Sequence, residues 1–115
     1  MVTNSFRNCE KIRRKQDYLA IYKQGTRSYS DNFTIILHRH SSGLRRIGIT
    51  VSKKVGSAVR RNRIKRLVRE FFRLNKLRLP ESQDIVIVGK NCVPRLSYRD
   101  VCRELECLVN NKVNE

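Results

Sequence analysis

Apolar positions change their period several times along the chain, and each change predicts an element. In "RRKQDYLAIYKQG", Tyr18, Ile21 and Tyr22 recur at helical spacing with Leu19 beside them, and Gly25 offers a stop, so residues 13–25 predict a short helix with Lys15 at its N-cap. Lysine is a poor capping residue, which leaves the true start open by a residue or two. "NFTIILHR" alternates Phe33, Ile35 and Leu37 against Thr34, Ile36 and His38, and "RIGITVS" alternates Ile47, Ile49 and Val51 against Gly48, Thr50 and Ser52. Both predict strands, joined across "HSSGLR" as a hairpin, and a further short strand fits "TRSYS".

The longest periodic stretch follows. With Ile64 as reference and about 100° per residue, Leu67, Val68, Phe71, Phe72 and Asn75 fall within about 80° of it, so all but the last form a core stripe. On the other side Asn62, Arg66, Arg69 and Arg73 share a sector of about 60°, with Lys65 on its flank. "DIVIVGK" is apolar on both faces and β-branched, which predicts an interior strand covered on its two sides. "LSYRDVCRELECLVNNKV" predicts a closing helix, with Ser97 and Asp100 as a capping pair and Val101, Leu105, Leu108, Val109 and Lys112 as its stripe. Helix, strand, strand, helix, strand, helix implies an α+β fold with helices on a small mixed sheet.

Composition sharpens this picture. The chain has 115 residues, enough for one domain and one core, with residues 1–10 expected to be loosely ordered. Its formal net charge of +16 would oppose compaction unless counter-charge is near, which predicts a polyanionic partner. No apolar run approaches the roughly 20 residues needed to span a bilayer, and "MVTNSFRNCEKIRRKQ" has no signal-peptide core, so a soluble cytosolic protein without a membrane partner is expected. Cys9, Cys92, Cys102 and Cys107 lack paired metal-ligand spacing and predict reduced thiols.

Between Lys53 and Arg73 stand nine cationic side chains and one acid, Glu70. Solvated helix faces mix signs for i, i+4 support, whereas this one does not. From Asn62 to Arg73 the row covers about 16 Å, long enough for several successive phosphates. "SKKVGSAV" brings Lys53, Lys54 and Gly56 to the point where a strand hands over to that helix, a favourable place for an anion, although the P-loop pattern is absent. Tyr18 and Tyr22, at i and i+4, share a helix face. Against the sheet face bearing Thr34, Ile36, His38 and Thr50 they would frame a groove suited to unpaired bases, or else simply pack. His38 and His40 have no carboxylate cluster beside them in sequence, so no catalytic residue and no metal ligand is assigned.

"SKKVGSAVRRNRIKRLVREFF" closely resembles the signature of the bacterial ribonuclease P protein subunit, with its Arg-Asn-Arg element at Arg61, Asn62 and Arg63. Lys53, Lys54, Gly56, Ala58, Val59, Lys65, Arg66, Arg69 and Glu70 also sit in that pattern, and the resemblance runs through nearly the whole chain. It implies a single-domain α/β two-layer sandwich of order α-β-β-β-α-β-α, with a left-handed β-α-β crossover where the usual rule gives a right-handed one. It also implies a protein subunit of an RNA-catalysed endoribonuclease that removes the 5′ leader of precursor tRNA, with magnesium held mainly by RNA and one protein per ribonuclease P RNA. Contacts to the catalytic RNA fall on Lys53, Lys54, Arg60, Arg61, Asn62, Arg63, Lys65, Arg66, Arg69 and Arg73. The leader cleft falls on Tyr18, Tyr22, Phe33, Ile36 and Thr50, although Ile36 stands where relatives can carry an aromatic ring. Two other classes share the size and charge: a structural ribosomal protein or RNA chaperone, and a DNA-binding protein, the latter lacking a helix-turn-helix partner or a dimerising heptad.

Overall fold

In the computed structural model, which describes residues 11–12, 14–40, 45–79, 82–91 and 93–110, the apolar periods resolve into helices and one sheet. The elements are α1 (Lys15–Gln24), β1 (Thr26–Tyr29), β2 (Phe33–Arg39), β3 (Arg46–Thr50), α2 (Ala58–Leu74), β4 (Gln83–Gly89), α3 (Tyr98–Leu105) and α4 (Cys107–Asn110). Short 3-10 turns at Lys53–Val55 and Lys76–Arg78 bracket α2. The expected order of elements is observed, with the strand in "TRSYS" present as β1 and the closing helix interrupted at Glu106. Lys112 and the first ten residues lie outside the described residues.

The sheet runs β1-β2-β4-β3, with β1–β2 and β2–β4 antiparallel and β3–β4 parallel. The expected hairpin between β2 and β3 is therefore absent, because β4 lies between them. Its physical reason is burial. Asp84, Ile85, Val86 and Ile87 are all buried, so β4 needs a paired strand on each edge and cover on both faces, which only the central position supplies. Alternation in β2 and β3 fixes which residues face the core but not which strands are neighbours.

Register then sorts the two faces. Ile35 pairs with Ile87, Leu37 with Ile85 and Ile47 with Ile85, and this side packs under α2, α3 and α4 in one cluster with Ile64, Val68, Phe71, Phe72, Val101 and Leu105. The opposite side is covered by α1, where Ile12, Ile21, Ile36 and Val86 make a smaller cluster flanked by Tyr18, Tyr22 and Val88. Gly25 lets the chain turn from α1 into β1 here, since a Cβ on it would lie 2.6 Å from Ile36 Cγ2 and 2.9 Å from the Leu37 carbonyl oxygen.

Helix ends follow the local rules with one exception. Ser57 Oγ accepts from the Arg60 amide at 3.3 Å to cap α2, just after Gly56 adopts φ 158° and ψ −164°, a conformation reserved for glycine. Ser97 and Asp100 form the expected capping box on α3, and the Ser97 amide and hydroxyl hold the Asp100 carboxyl below its ordinary range. Helix α1 starts one residue after its N-cap Arg14, so Lys15 is the first helical residue rather than the cap. Its first turn is fastened to the sheet instead. Buried Asp84 takes a bidentate pair from Arg46 at 2.7 and 2.8 Å, and Arg46 also reaches Asp17 at 3.5 Å. The Asp84 hydrogen bond, aided by Asp17, raises the Arg46 pKa against the opposing effect of burial.

Candidate nucleic-acid interface

Helix α2 carries two opposed faces because its sequence sorts them. Ile64, Val68, Phe71 and Phe72 are buried, while Asn62, Arg66 and Arg69 are exposed on the far side and Lys65 is half-buried between them. The side chains of Lys65, Arg66 and Arg69 make no hydrogen bond or ion pair with any described residue, and Glu70 is the one acid lining the groove with them. Lys11 joins them from outside the helix: it bridges to Ile47 along the free edge of β3 and lines a shallow groove with Asn62, Lys65, Arg66, Arg69, Glu70 and Arg73. Sequence alone gave no signal for Lys11, which depends on where the N-terminal chain meets the sheet.

Other cations expected in this row are placed differently. Arg60 donates to the Val93 carbonyl at 3.3 Å and Arg63 to the Leu96 carbonyl at 3.0 Å, so these two guanidiniums clamp the segment between β4 and α3 onto α2. Arg60 nonetheless remains exposed and Arg63 half-buried, each using one guanidinium nitrogen for this internal bond. Arg73 grips Glu70 at 3.0 and 2.6 Å, a hydrogen-bonded pair that lowers the Glu70 pKa and raises that of Arg73. Lys53 and Lys54 are exposed on the turn before α2, and Arg61 is half-buried at its first helical turn.

The α1 side of the sheet holds a second feature, legible only from the register. Tyr29 pairs with Thr34, Thr34 with Val88, and Val88 with Thr50, so these four residues form one row across all four strands. Three interstrand spacings make the row about 14 Å long. The neighbouring row, Arg27–Ile36–Val86–Gly48, lies under α1. At its β3 end Tyr18 packs on Gly48, where a Cβ would stand 2.5 Å from the phenolic oxygen. That hydroxyl donates to the Ile12 carbonyl at 3.1 Å, and burial, reinforced by Tyr22, raises the Tyr18 pKa.

Tyr22 stands over the open row. Its hydroxyl lies 3.3 Å from Thr50 Oγ1, its ring centroid is 6.2 Å from that of Tyr18, and the Arg27 guanidinium sits 6.0 Å from the Tyr22 ring while donating to the Tyr22 carbonyl at 2.8 Å. Of the expected cleft residues, Tyr22 and Thr50 therefore line the trough and Tyr18 supports it. Phe33 does not: it points to the α2 side and is fully buried, since odd and even positions of β2 face opposite ways. Ile36 faces the α1 side but is fully buried beneath that helix. Thr34, Val88, Tyr29 and Lys90 complete the trough, and of these the sequence reading had only Thr34.

No group of three His, Cys, Asp or Glu side chains gathers into a metal cage among the described residues, and no helix among them is long and apolar enough to cross a membrane.

One family of known proteins shares this sequence and this fold. A family model described as Ribonuclease P matches residues 6–113. The ribonuclease P protein component of Syntrophus aciditrophicus strain SB is 49% identical over 108 residues, 94% of this chain and 91% of that one. That of Thermotoga maritima is 39% identical over 89 residues, covering 77% of this chain and 76% of the relative. Among solved structures, the Thermotoga maritima RNase P protein superposes with a TM-score of 0.79 at 33% identity, over 89% of this chain and 96% of that one. The Staphylococcus aureus RNase P protein gives 0.78 at 29% identity, over 92% and 95%.

Proposed function

The chain belongs to the ribonuclease P protein family, and on that premise we propose how its two exposed surfaces divide the work. It is the bacterial-type protein component of ribonuclease P, the endonuclease of tRNA 5′ maturation, and its partner is the ribonuclease P RNA. Membership sets aside the ribosomal-protein, chaperone and DNA-binding alternatives.

The outward row of α2 binds phosphates of that RNA, with Asn62, Lys65, Arg66 and Arg69 at its centre, Lys11 beside them, and Arg61, Lys53 and Lys54 extending the contact. The observation that carries this is the one-sided sorting of α2, whose unpaired cations stand opposite its buried stripe. Arg60 and Arg63 contact the RNA while also tying the segment between β4 and α3 to α2, and Arg73 does so from the same groove, paired with Glu70. One protein binds one RNA in the cytoplasm, and the RNA performs the cut. Magnesium belongs with the RNA in this scheme, where it would serve the phosphodiester being cut. The protein contributes by holding and orienting.

The trough on the α1 side takes the single-stranded leader of precursor tRNA. Tyr22 supplies a π-face, Thr34, Val88 and Thr50 form a floor small enough to admit a base, and Arg27 lends positive charge at the rim. Tyr22→Ala is expected to weaken binding of leader-bearing precursor by about 1–3 kcal/mol while leaving mature tRNA unaffected. Tyr22→Phe, which keeps the ring and loses only the bond to Thr50, should retain most of the affinity. Equilibrium titration of the holoenzyme with both substrates checks this, and equal losses for precursor and mature tRNA would remove the leader from the trough.

A further inference from the structure

Tyr22 stands at the β3 end of the trough, and the β1 end has a ring of its own. Tyr29 is 69% exposed, and Lys90 Nζ lies 5.7 Å from its ring centroid. Lys90 is held in place, donating through Nζ to the Ser30 carbonyl at 2.5 Å and through its amide to the Asn32 carbonyl at 3.0 Å. Glu104 of α3 braces the same turn, accepting from Ser30 Oγ at 2.6 Å and from the Asn32 amide and side chain, each at 2.7 Å.

A solitary exposed tyrosine on a protein surface is ordinary. This one differs in its setting. It ends a cross-strand row whose other end carries Tyr22, the floor between them is small or β-branched, and a fixed cation sits at its ring. Ring plus cation is the pairing that takes a base on its π-face with the adjoining phosphate alongside. Fully buried Ile36 offers no ring to the floor, so the rims must supply the stacking.

Resting on the assignment of the trough to the leader, we infer that Tyr29 and Lys90 form a second leader-binding station, and that the leader crosses the sheet from Tyr22 toward the β1 edge. Tyr22 meets the row at Thr50, and Tyr29 ends it three interstrand spacings away, about 14 Å, so the two rings take different nucleotides. The β3 edge is where Lys11 joins the α2 cations, so the Tyr29 base lies farther from the catalytic RNA.

A leader-length series tests the order of the stations. Holoenzyme assembled from the full chain and ribonuclease P RNA is titrated with precursor tRNA whose leader grows one nucleotide at a time. Tyr29→Ala should bind long-leader precursor about 5- to 150-fold more weakly than wild type and match it once the leader is shortened. Tyr22→Ala should still show its defect at those shorter lengths. Tyr29→Phe should behave as wild type, and Tyr29→Leu, which suits an edge strand but has no ring, should copy Tyr29→Ala. Affinity for mature tRNA and for the RNA subunit should be unchanged in all of them. Wild-type binding by Tyr29→Ala and Tyr29→Leu at every length, with Tyr22→Ala defective, overturns the second station and leaves the trough assignment standing. Identical length thresholds for the two positions overturn the proposed direction, and absence of any leader effect in Tyr22→Ala overturns the trough itself and the station with it.

Discussion

Replacing Arg66 and Arg69 together by alanine should weaken assembly with ribonuclease P RNA by roughly 15- to 30-fold at 0.15 M salt. Each phosphate neutralised contributes about 0.7 to 0.9 to the slope of log affinity against log salt, and two such contacts extrapolated to 1 M give that factor. The slope itself should fall by about 1.4 to 1.8. Both side chains are exposed and bonded to no described residue, so the fold should be indifferent to their loss. Salt-dependent titration of the double variant checks both quantities. An unchanged slope would mean that this face of α2 does not meet the RNA.

The inward face of the same helix should respond in the opposite way. Phe72 is fully buried and meets Phe71 edge-on, with ring centroids 5.7 Å apart. Phe72→Ala should cost about 3–5 kcal/mol of folding stability through lost burial and the cavity left behind. That is a large part of the roughly 5–15 kcal/mol typical of a native domain. Under conditions where the variant remains folded, its salt slope for RNA binding should match wild type. Denaturant unfolding and the same titration measure the two effects, and a slope that falls with Phe72→Ala would show that packing and phosphate contact are not separable on this helix.

Much of this division was legible because an amphipathic helix writes both of its faces into one stretch of sequence. The stripe from Ile64 to Phe72 and the opposing Asn62, Arg66 and Arg69 needed only helical periodicity. The Ser97–Asp100 box was equally local. Strand pairing was not, since alternation in β2 and β3 says which side is wet but nothing about β4 inserting between them.

The remaining differences come from that same source. Tyr29 and Lys90 become trough residues only when β1, β2, β4 and β3 line up in register, and Arg60 and Arg63 become clamps only when the segment carrying Val93 and Leu96 folds back over α2. Phe33 illustrates the converse, because its parity in β2 already put it with Ile35 on the core side, against the cleft role the resemblance suggested.

Whether the polypeptide binds while RNA cuts is decided most directly by reconstitution at low magnesium. Ribonuclease P RNA alone should process precursor tRNA poorly, addition of this chain should restore accurate 5′ cleavage, and the chain alone should leave the precursor intact. Cleavage by the polypeptide without RNA, or no gain when it joins the RNA, would contradict the account.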